Sequence, residues 1–212
     1  MTSEESDAPP EPGSVAPADE PPYRQLRMLW PAGLRPAGAL MHAPRGYQLR
    51  GGGDDDAEAF LRLMTRVGLG TWDDEKVLHW TTTVVPGGWT VVVHEASDQL
   101  VATCMGHHRP VEDLYPEGYE VGWIAASPDH AGHGLGRIIT AVATARLLEA
   151  GARCIYLQTD DFRLPALKSY LEVGFVPHLW AEGMLERWRT ICTQLKVPFT
   201  PKEWLGCQGV GH

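Results

Sequence analysis

Glu120-Val-Gly-Trp-Ile-Ala-Ala-Ser-Pro-Asp-His-Ala-Gly-His-Gly-Leu-Gly136 is the stretch that decides the fold of this chain. Tyr119 to Ala126 is apolar and aromatic and reads as a strand, with Gly122 at a point where another group can approach the backbone closely. Ser127-Pro128-Asp129 stops the strand. Small residues then crowd together at Ala131, Gly132, Gly134 and Gly136, and Arg137 with the apolar run behind it reads as the first turns of a helix. A strand, a glycine turn and a helix N-terminus make an anion site. Successive N–H groups converge there without side chains in the way, and the positive end of the helix dipole faces the ligand.

Three kinds of phosphate site use such a turn. A P-loop would end in Gly-Lys-Ser/Thr, which is missing here. A dinucleotide fingerprint would be spaced Gly-x-Gly-x-x-Gly, whereas this chain has Gly132-x-Gly134-x-Gly136. The third is an acyl-CoA site. Ala131-Gly132-His133-Gly134-Leu135-Gly136, followed by Ala166-Leu-Lys-Ser-Tyr170-Leu-Glu-Val-Gly174-Phe175, resembles the paired motifs of the GNAT (GCN5-related) N-acetyltransferases, over roughly Gly46 to Trp180.

The resemblance implies a mixed α/β (α+β) fold: a mostly antiparallel central sheet flanked by helices, with its fourth strand, Tyr119–Ala126, splayed from its fifth. It implies direct transfer of an acetyl group from acetyl-CoA to a primary amine, with no metal. The pyrophosphate would sit on the backbone N–H groups of His133, Gly134, Leu135, Gly136 and Arg137, with Ala131 and Gly132 also part of the cofactor site. The pantetheine arm would pair with the fourth strand at Ile124, Ala125 and Ala126, where a backbone N–H would meet the oxyanion. Glu120 falls where members with a strand-four glutamate place their general base, and Tyr170 where they place their general acid. Three departures stand out. Ala131 replaces the usual Gln or Arg, and His133 often a Lys or Arg. Arg163 stands where many members have Asn.

Each residue also has a plain structural reading. Glu120 on the polar side of a pleat is an exposed carboxylate, and Tyr170 beside Leu167 and Leu171 is a core tyrosine. His107 and His108, at the end of the preceding strand, are alternative bases because imidazole titrates near neutral pH. The alternative function is a catalytically weak acyl-CoA-binding or regulatory module. A third is a structural subunit that docks a partner through the helix over 184–195.

Composition bounds the rest. At 212 residues the chain supports one good core. Residues 1–22 hold six prolines, six acids and no Lys or Arg, so they are expected to be disordered. They carry −6 of the net −9; the remaining 21 acids against 18 Lys and Arg leave −3. That balance excludes a basic nucleic-acid surface. No apolar run is long enough to span a membrane, and the acidic N-terminus does not read as a secretory leader. Four cysteines without a Cys-x-x-Cys pair suit a reducing cytoplasm, with neither zinc nor a disulfide framework. The resemblance, not the composition, implies a small-molecule or peptide amine as acceptor, and it allows a homodimer.

Residues 23–45 form an N-terminal arm in which Gln25–Trp30 is an extra edge strand or a cover over the core. Gly46–Arg50 is a strand, and Phe60, Leu63, Met64 and Val67 recur at helical spacing. A second short helix starts at Asp73; by the resemblance, residues 72–80 contact the acceptor. Pro86-Gly87-Gly88 is a turn between elements. Trp89–Glu95 and Leu100–His107 are antiparallel strands, and 108–118 is a polar loop, which by the resemblance lies beside the acceptor. Leu135–Ala150 is a helix, Cys154–Thr159 a strand, Leu164–Val173 a helix, Phe175–Trp180 a strand, and Met184–Leu195 an amphipathic helix opening a C-terminal segment over 181–212.

Overall fold

The computed structural model describes residues 23–70 and 82–204. The acidic segment 1–22, most of the second predicted helix with its acceptor residues 72–80, and residues 205–212 lie outside them. Seven strands form one sheet in the order β2-β3-β4-β5-β6-β1-β7. They are β1 Leu26–Leu29, β2 Tyr47–Gly51, β3 Val84–His94, β4 Gln99–His108, β5 Gly118–Ala126, β6 Cys154–Thr159 and β7 Val176–His178. Every pairing is antiparallel except β5 with β6. The helices lying wholly within the described residues are α1 Ala57–Arg66, α2 Leu135–Glu149, α3 Leu164–Val173, α4 Met184–Leu195 and the short α5 Pro201–Trp204. This is the mixed, mostly antiparallel architecture expected.

The helices divide between the two faces of the sheet. Phe60, Leu63 and Met64 of α1 pack on Met105 and Ala125 on one face. On the other, Leu135, Ile139 and Leu147 of α2, Leu167 and Tyr170 of α3 and Trp188 of α4 share the main core with Cys104, Val121, Ile155 and Leu157. Alternation along each strand therefore assigns side chains to a face. Glu120 and Gly122 point toward the α1 side, and Val121 toward α2 and α3.

Leu26–Leu29 is an interior strand, not an edge or a cover. It pairs with β6 from Leu26↔Thr159 to Leu29↔Tyr156, and with β7 at Arg27↔His178. The reason is burial on both faces. Leu26 and Met28 are fully buried in the main core, and Leu29 packs on Tyr115 and Tyr156 opposite. Burying side chains of this size stabilises by about 1.5–3 kcal/mol each. Arg27, the one charged residue of the strand, lies with its guanidinium 4.3 Å from the Trp180 ring centre and 5.5 Å from that of Tyr115.

Pro86-Gly87-Gly88 is a second correction: these residues lie inside β3. Pairing with β4 jumps from Val84↔His107 to Trp89↔Met105, so they bow out of the ladder. A side chain at Gly88 would come within 2.7 Å of the Gly106 carbonyl oxygen, which is why the bow is glycine-rich. The strand predicted over Phe175–Trp180 contracts to Val176–His178.

The β5–β6 ladder is short. It runs through Gly118↔Cys154, Tyr119↔Ile155 and Glu120↔Tyr156 and stops. Beyond Glu120, β5 stays with β4 as far as Ala126, while β6 stays with β1 as far as Thr159. The strands part in a V. A bulge on β5 accompanies the parting: Gly122 faces Met105 and Ala125 faces Thr103, so Trp123 and Ile124 together oppose one residue. Trp123 takes φ +49°, a conformation a bulky side chain adopts only when its surroundings hold it there.

Candidate active site

A cavity of about 370 Å³ fills the V, and its walls include Glu120, Ile124, Gln158, Thr159 and Tyr170. It thus brings together the proposed base and acid, which lie far apart in sequence and on opposite faces of the sheet. A larger groove of about 740 Å³ between α1 and the start of β4, walled by Leu61 and Leu100, shares no residue with it.

Glu120 is 6% exposed, so the exposed-carboxylate reading is wrong. One carboxylate oxygen accepts from Arg109 Nη1 at 2.6 Å and the other from Gln158 Nε2 at 3.1 Å. Gln158 in turn accepts from Arg27 Nε at 3.3 Å, and Tyr156 donates to the Arg109 carbonyl oxygen at 2.8 Å. The carboxylate is held from two sides, yet each oxygen keeps lone-pair capacity for a third partner. His107 lies directly across the ladder from Glu120 and is fully buried. Its Nδ1 shares a hydrogen bond with Thr83 Oγ1 at 2.9 Å. Gly122 keeps the space between them open: a Cβ there would sit 3.2 Å from His107 Cδ2 and 3.7 Å from Glu120 Cδ. His108 is exposed, with its ring 4.8 Å from that of Tyr119, away from this group.

Tyr170 is buried in the core and also walls the cavity, so its place in the core does not take it away from the candidate site. Burial pushes its phenol well above the ordinary tyrosine value, Cys104 adds to this and Arg163 opposes it. The shift favours the protonated phenol, the form that can donate a hydrogen bond into the cavity. Arg163 donates to Asp160 at 3.1 Å, and Asp160 also accepts from Gln25 at 3.1 Å and Tyr23 at 3.3 Å. Arg109, Gln158, Gln25 and Thr159 were not singled out from the sequence. The only signal was strand alternation, which places Gln158 on the same face as Glu120.

The glycine turn follows the far end of β5. Ser127 donates its N–H to the Val101 carbonyl at 2.7 Å, so by alternation the Ala126 N–H points the other way, into the V. Ile124 and Ala125 precede it, Ala125 paired with Thr103. Pro128–His130 makes a single 3-10 turn, and Ala131, Gly132 and His133 are exposed. Gly132 takes φ +85° and Gly134 φ +69°, the latter as the residue before α2. Among the described residues, no backbone hydrogen bond reaches the N–H groups of Gly132 through Arg137, and the first helical bond is Ile138 N–H to Gly134 O at 3.2 Å. Leu135 is buried and anchors the turn, while Arg137 pairs with Glu172 at 3.1 Å. Free N–H groups at the start of a 15-residue helix are what an anionic ligand requires.

Histidines back this turn. Tyr47 shares a hydrogen bond with His130 Nδ1 at 2.9 Å, and His94, His130 and His133 lie 5.2, 5.6 and 5.1 Å from its ring centre. Burial pushes His130 below the ordinary imidazole value; His94 pushes the same way and Asp129 opposes. Among the described residues, no group of three His, Cys, Asp or Glu is placed to hold a metal ion. No helix among them is long and apolar enough to cross a membrane.

A model described as the acetyltransferase (GNAT) family matches residues 57–175. Among curated proteins, the mycothiol acetyltransferase of Geodermatophilus obscurus is 29% identical over 181 residues, covering 79% of this chain and 58% of that one. The mycothiol acetyltransferase of Kytococcus sedentarius is 29% identical over 141 residues, covering 62% and 46%. The chain thus spans about half the length of these relatives. Among solved structures, a GCN5-related N-acetyltransferase from Sphaerobacter thermophilus superposes with a TM-score of 0.57 at 19% identity, over 74% of this chain and 50% of that one, a likeness of fold. With the family model running from the first residue of α1 to Phe175, over more than half of its length, this chain belongs to the acetyltransferase (GNAT) family.

Proposed function

We propose that the protein transfers an acetyl group from acetyl-CoA to a primary amine, directly, in a ternary complex. The observation that carries this reading is the cavity at the V, walled by a buried carboxylate on one face of the sheet and a buried phenol on the other. In this reading the N–H groups from His133 to Arg137 hold the pyrophosphate, with Ala131 and Gly132 leaving room for it. The pantetheine arm lies along β5 past Ala126, Ala125 and Ile124, and takes the place of the missing ladder with β6. The Ala126 N–H, aimed into the V, stabilises the oxyanion. Glu120 takes the ammonium proton, directly or through a water, and the free amine attacks the thioester carbonyl. The C–S bond breaks, and Tyr170 protonates the departing thiolate.

The acceptor is a small-molecule or peptide amine. The relatives' name puts the acceptor it implies first on an assay panel. We place the reaction in the cytoplasm, where acyl-CoA is at hand and thiols such as buried Cys104 stay reduced. The direct test is thiol release from acetyl-CoA against a panel of amines, with acetylated product identified by mass. Product with at least one amine is expected; acetyl-CoA binding with no product from any amine would overturn turnover.

That last outcome is the second reading, a module that holds acyl-CoA without turning it over. It is favoured by the two hydrogen bonds already made to Glu120 and by Ala131, which offers phosphate no side chain. Tyr170→Phe separates the two. It keeps the ring and its packing and removes only the donor. Turnover is expected to fall at least about tenfold with acetyl-CoA affinity unchanged. Unchanged turnover would leave Tyr170 as a core residue only.

Ala131→Arg tests the turn in the direction of gain. Ala131 is exposed beside N–H groups with no backbone partner. A guanidinium there is expected to strengthen CoA binding by about 0.5–1 kcal/mol, roughly two- to fivefold. Calorimetry should show the gain shrinking as salt rises. A gain independent of salt, or none, would place the phosphates elsewhere.

A further inference from the structure

One polar atom at the V has no partner. Thr159, the last residue of β6, is 3% exposed, and its Oγ1 makes no hydrogen bond among the described residues. It also walls the cavity. A buried hydroxyl offers one donor and two acceptor positions, and burial with none of them used is unfavourable. Native structures retain such an atom where something else satisfies it.

The register says which side of the cavity it serves. Thr159 pairs with Leu26, and Leu26, Ile155 and Leu157 all lie in the main core with α2 and α3. Alternation along β6 therefore turns Thr159 to the α3 side, where Tyr170 stands. Gln158 turns to the other side, where it bonds Glu120. The cavity thus has two polar ends. An amine activated by Glu120 approaches from the α1 side, and a leaving thiolate protonated by Tyr170 departs on the α3 side. The ligand within reach of Thr159 is then the thioester-bearing arm of the acyl donor, not the acceptor.

We propose that Thr159 is a binding residue for the acyl donor, its hydroxyl completing its hydrogen bonds on the amide groups of the pantetheine arm. This rests on the reading of the cavity as an acyl-CoA site. Thr159 reaches the donor from the strand opposite β5, so the arm is gripped from both sides of the V.

Thr159→Val replaces the hydroxyl by a methyl of the same shape, and Thr159→Ser keeps the hydroxyl. Two readouts are needed, neither of which is activity. In the ligand-free protein, Thr159→Val is expected to raise Tm by about 2–4 °C, because a buried hydroxyl without a partner has been removed. By calorimetry, the same variant is expected to bind acetyl-CoA about three- to tenfold more weakly, with Thr159→Ser within about twofold of wild type. Adenosine 3′,5′-bisphosphate, which lacks the arm, should bind wild type and Thr159→Val equally. If Thr159→Val lowers Tm, the hydroxyl is already satisfied in the free protein and the inference is overturned. Unchanged acetyl-CoA affinity overturns it too, and so does equal weakening for both ligands, while the acyl-CoA reading stands in each case. Wild type that binds no acetyl-CoA overturns both.

Discussion

Glu120→Gln is expected to lower the rate of acetyl transfer by about 10²-fold or more at neutral pH while leaving acetyl-CoA affinity unchanged. The substitution keeps the size of the side chain and its bond from Arg109, since the amide oxygen accepts as the carboxylate did. The new amide NH2 meets Gln158 Nε2, so Gln158 must turn over and give up its bond from Arg27. Arg109 loses a charged partner, but its side chain is 41% exposed and water compensates it. Stability should therefore change little, and the kinetic loss can be assigned to chemistry. Raising the pH should restore much of the rate, because the amine then loses its proton unaided. A variant with the wild-type rate at neutral pH would remove Glu120 from the reaction. It would then move the search to His107, directly across the ladder beside Gly122.

The parts of this molecule that were legible in the sequence share a property: their signal is local. Strand, glycine turn and helix from Tyr119 onward follow from residues in contact with their sequence neighbours, and the structure keeps α3 and α4 at the predicted ends. What the sequence hid depends on partners far away. Gln25–Trp30 reads as an edge strand or a cover, whereas Leu26–Leu29 lies inside the sheet with Arg27 held by the distant rings of Trp180 and Tyr115 and by Gln158. Gly87 and Gly88 read as a turn between strands because glycines mark turns more often than they mark a bow against a neighbouring carbonyl. Glu120 was legible as a candidate through its distance from the glycine turn. Its environment was not, since Arg109 lies beyond the end of β4 and Gln158 on a strand that meets β5 at only three positions.

The site follows from one mechanical event, the parting of β5 and β6. A parallel ladder continued to Ala126 would bury the N–H that here faces the V and would close the cavity. The bulge at Trp123 turns β5 out of line, while β6 stays paired along its other edge with β1 as far as Thr159. The inserted N-terminal strand thereby supports the opening. It also positions the site: Gln25 walls the cavity, and Arg27 bonds the glutamine that bonds Glu120.

Gly134→Val is expected to abolish CoA binding, weakening it by about 10²-fold or more. Gly134 sits at φ +69°, ψ 16°, and a β-branched residue is strained there by about 1–3 kcal/mol. A Cβ would also meet Arg137 Nη2 at 2.9 Å. That contact alone is cheap, because an arginine end can swing away. The backbone strain is not relieved so easily, and the way to shed it is to rotate the peptide that aims these N–H groups. Losing two bonds to phosphate, at about 1.5–3 kcal/mol each for charged acceptors, accounts for the expected fall. Gly132→Ala is the graded companion. A Cβ there meets nothing within 4 Å, so its cost is the conformation at φ +85° alone and a smaller loss is expected. Calorimetry with CoA measures both, and thermal melting of the ligand-free variants shows whether the fold has survived. A folded Gly134→Val protein that binds CoA as wild type does would mean that the N–H groups do not hold the phosphates, and that the glycines serve only to start α2.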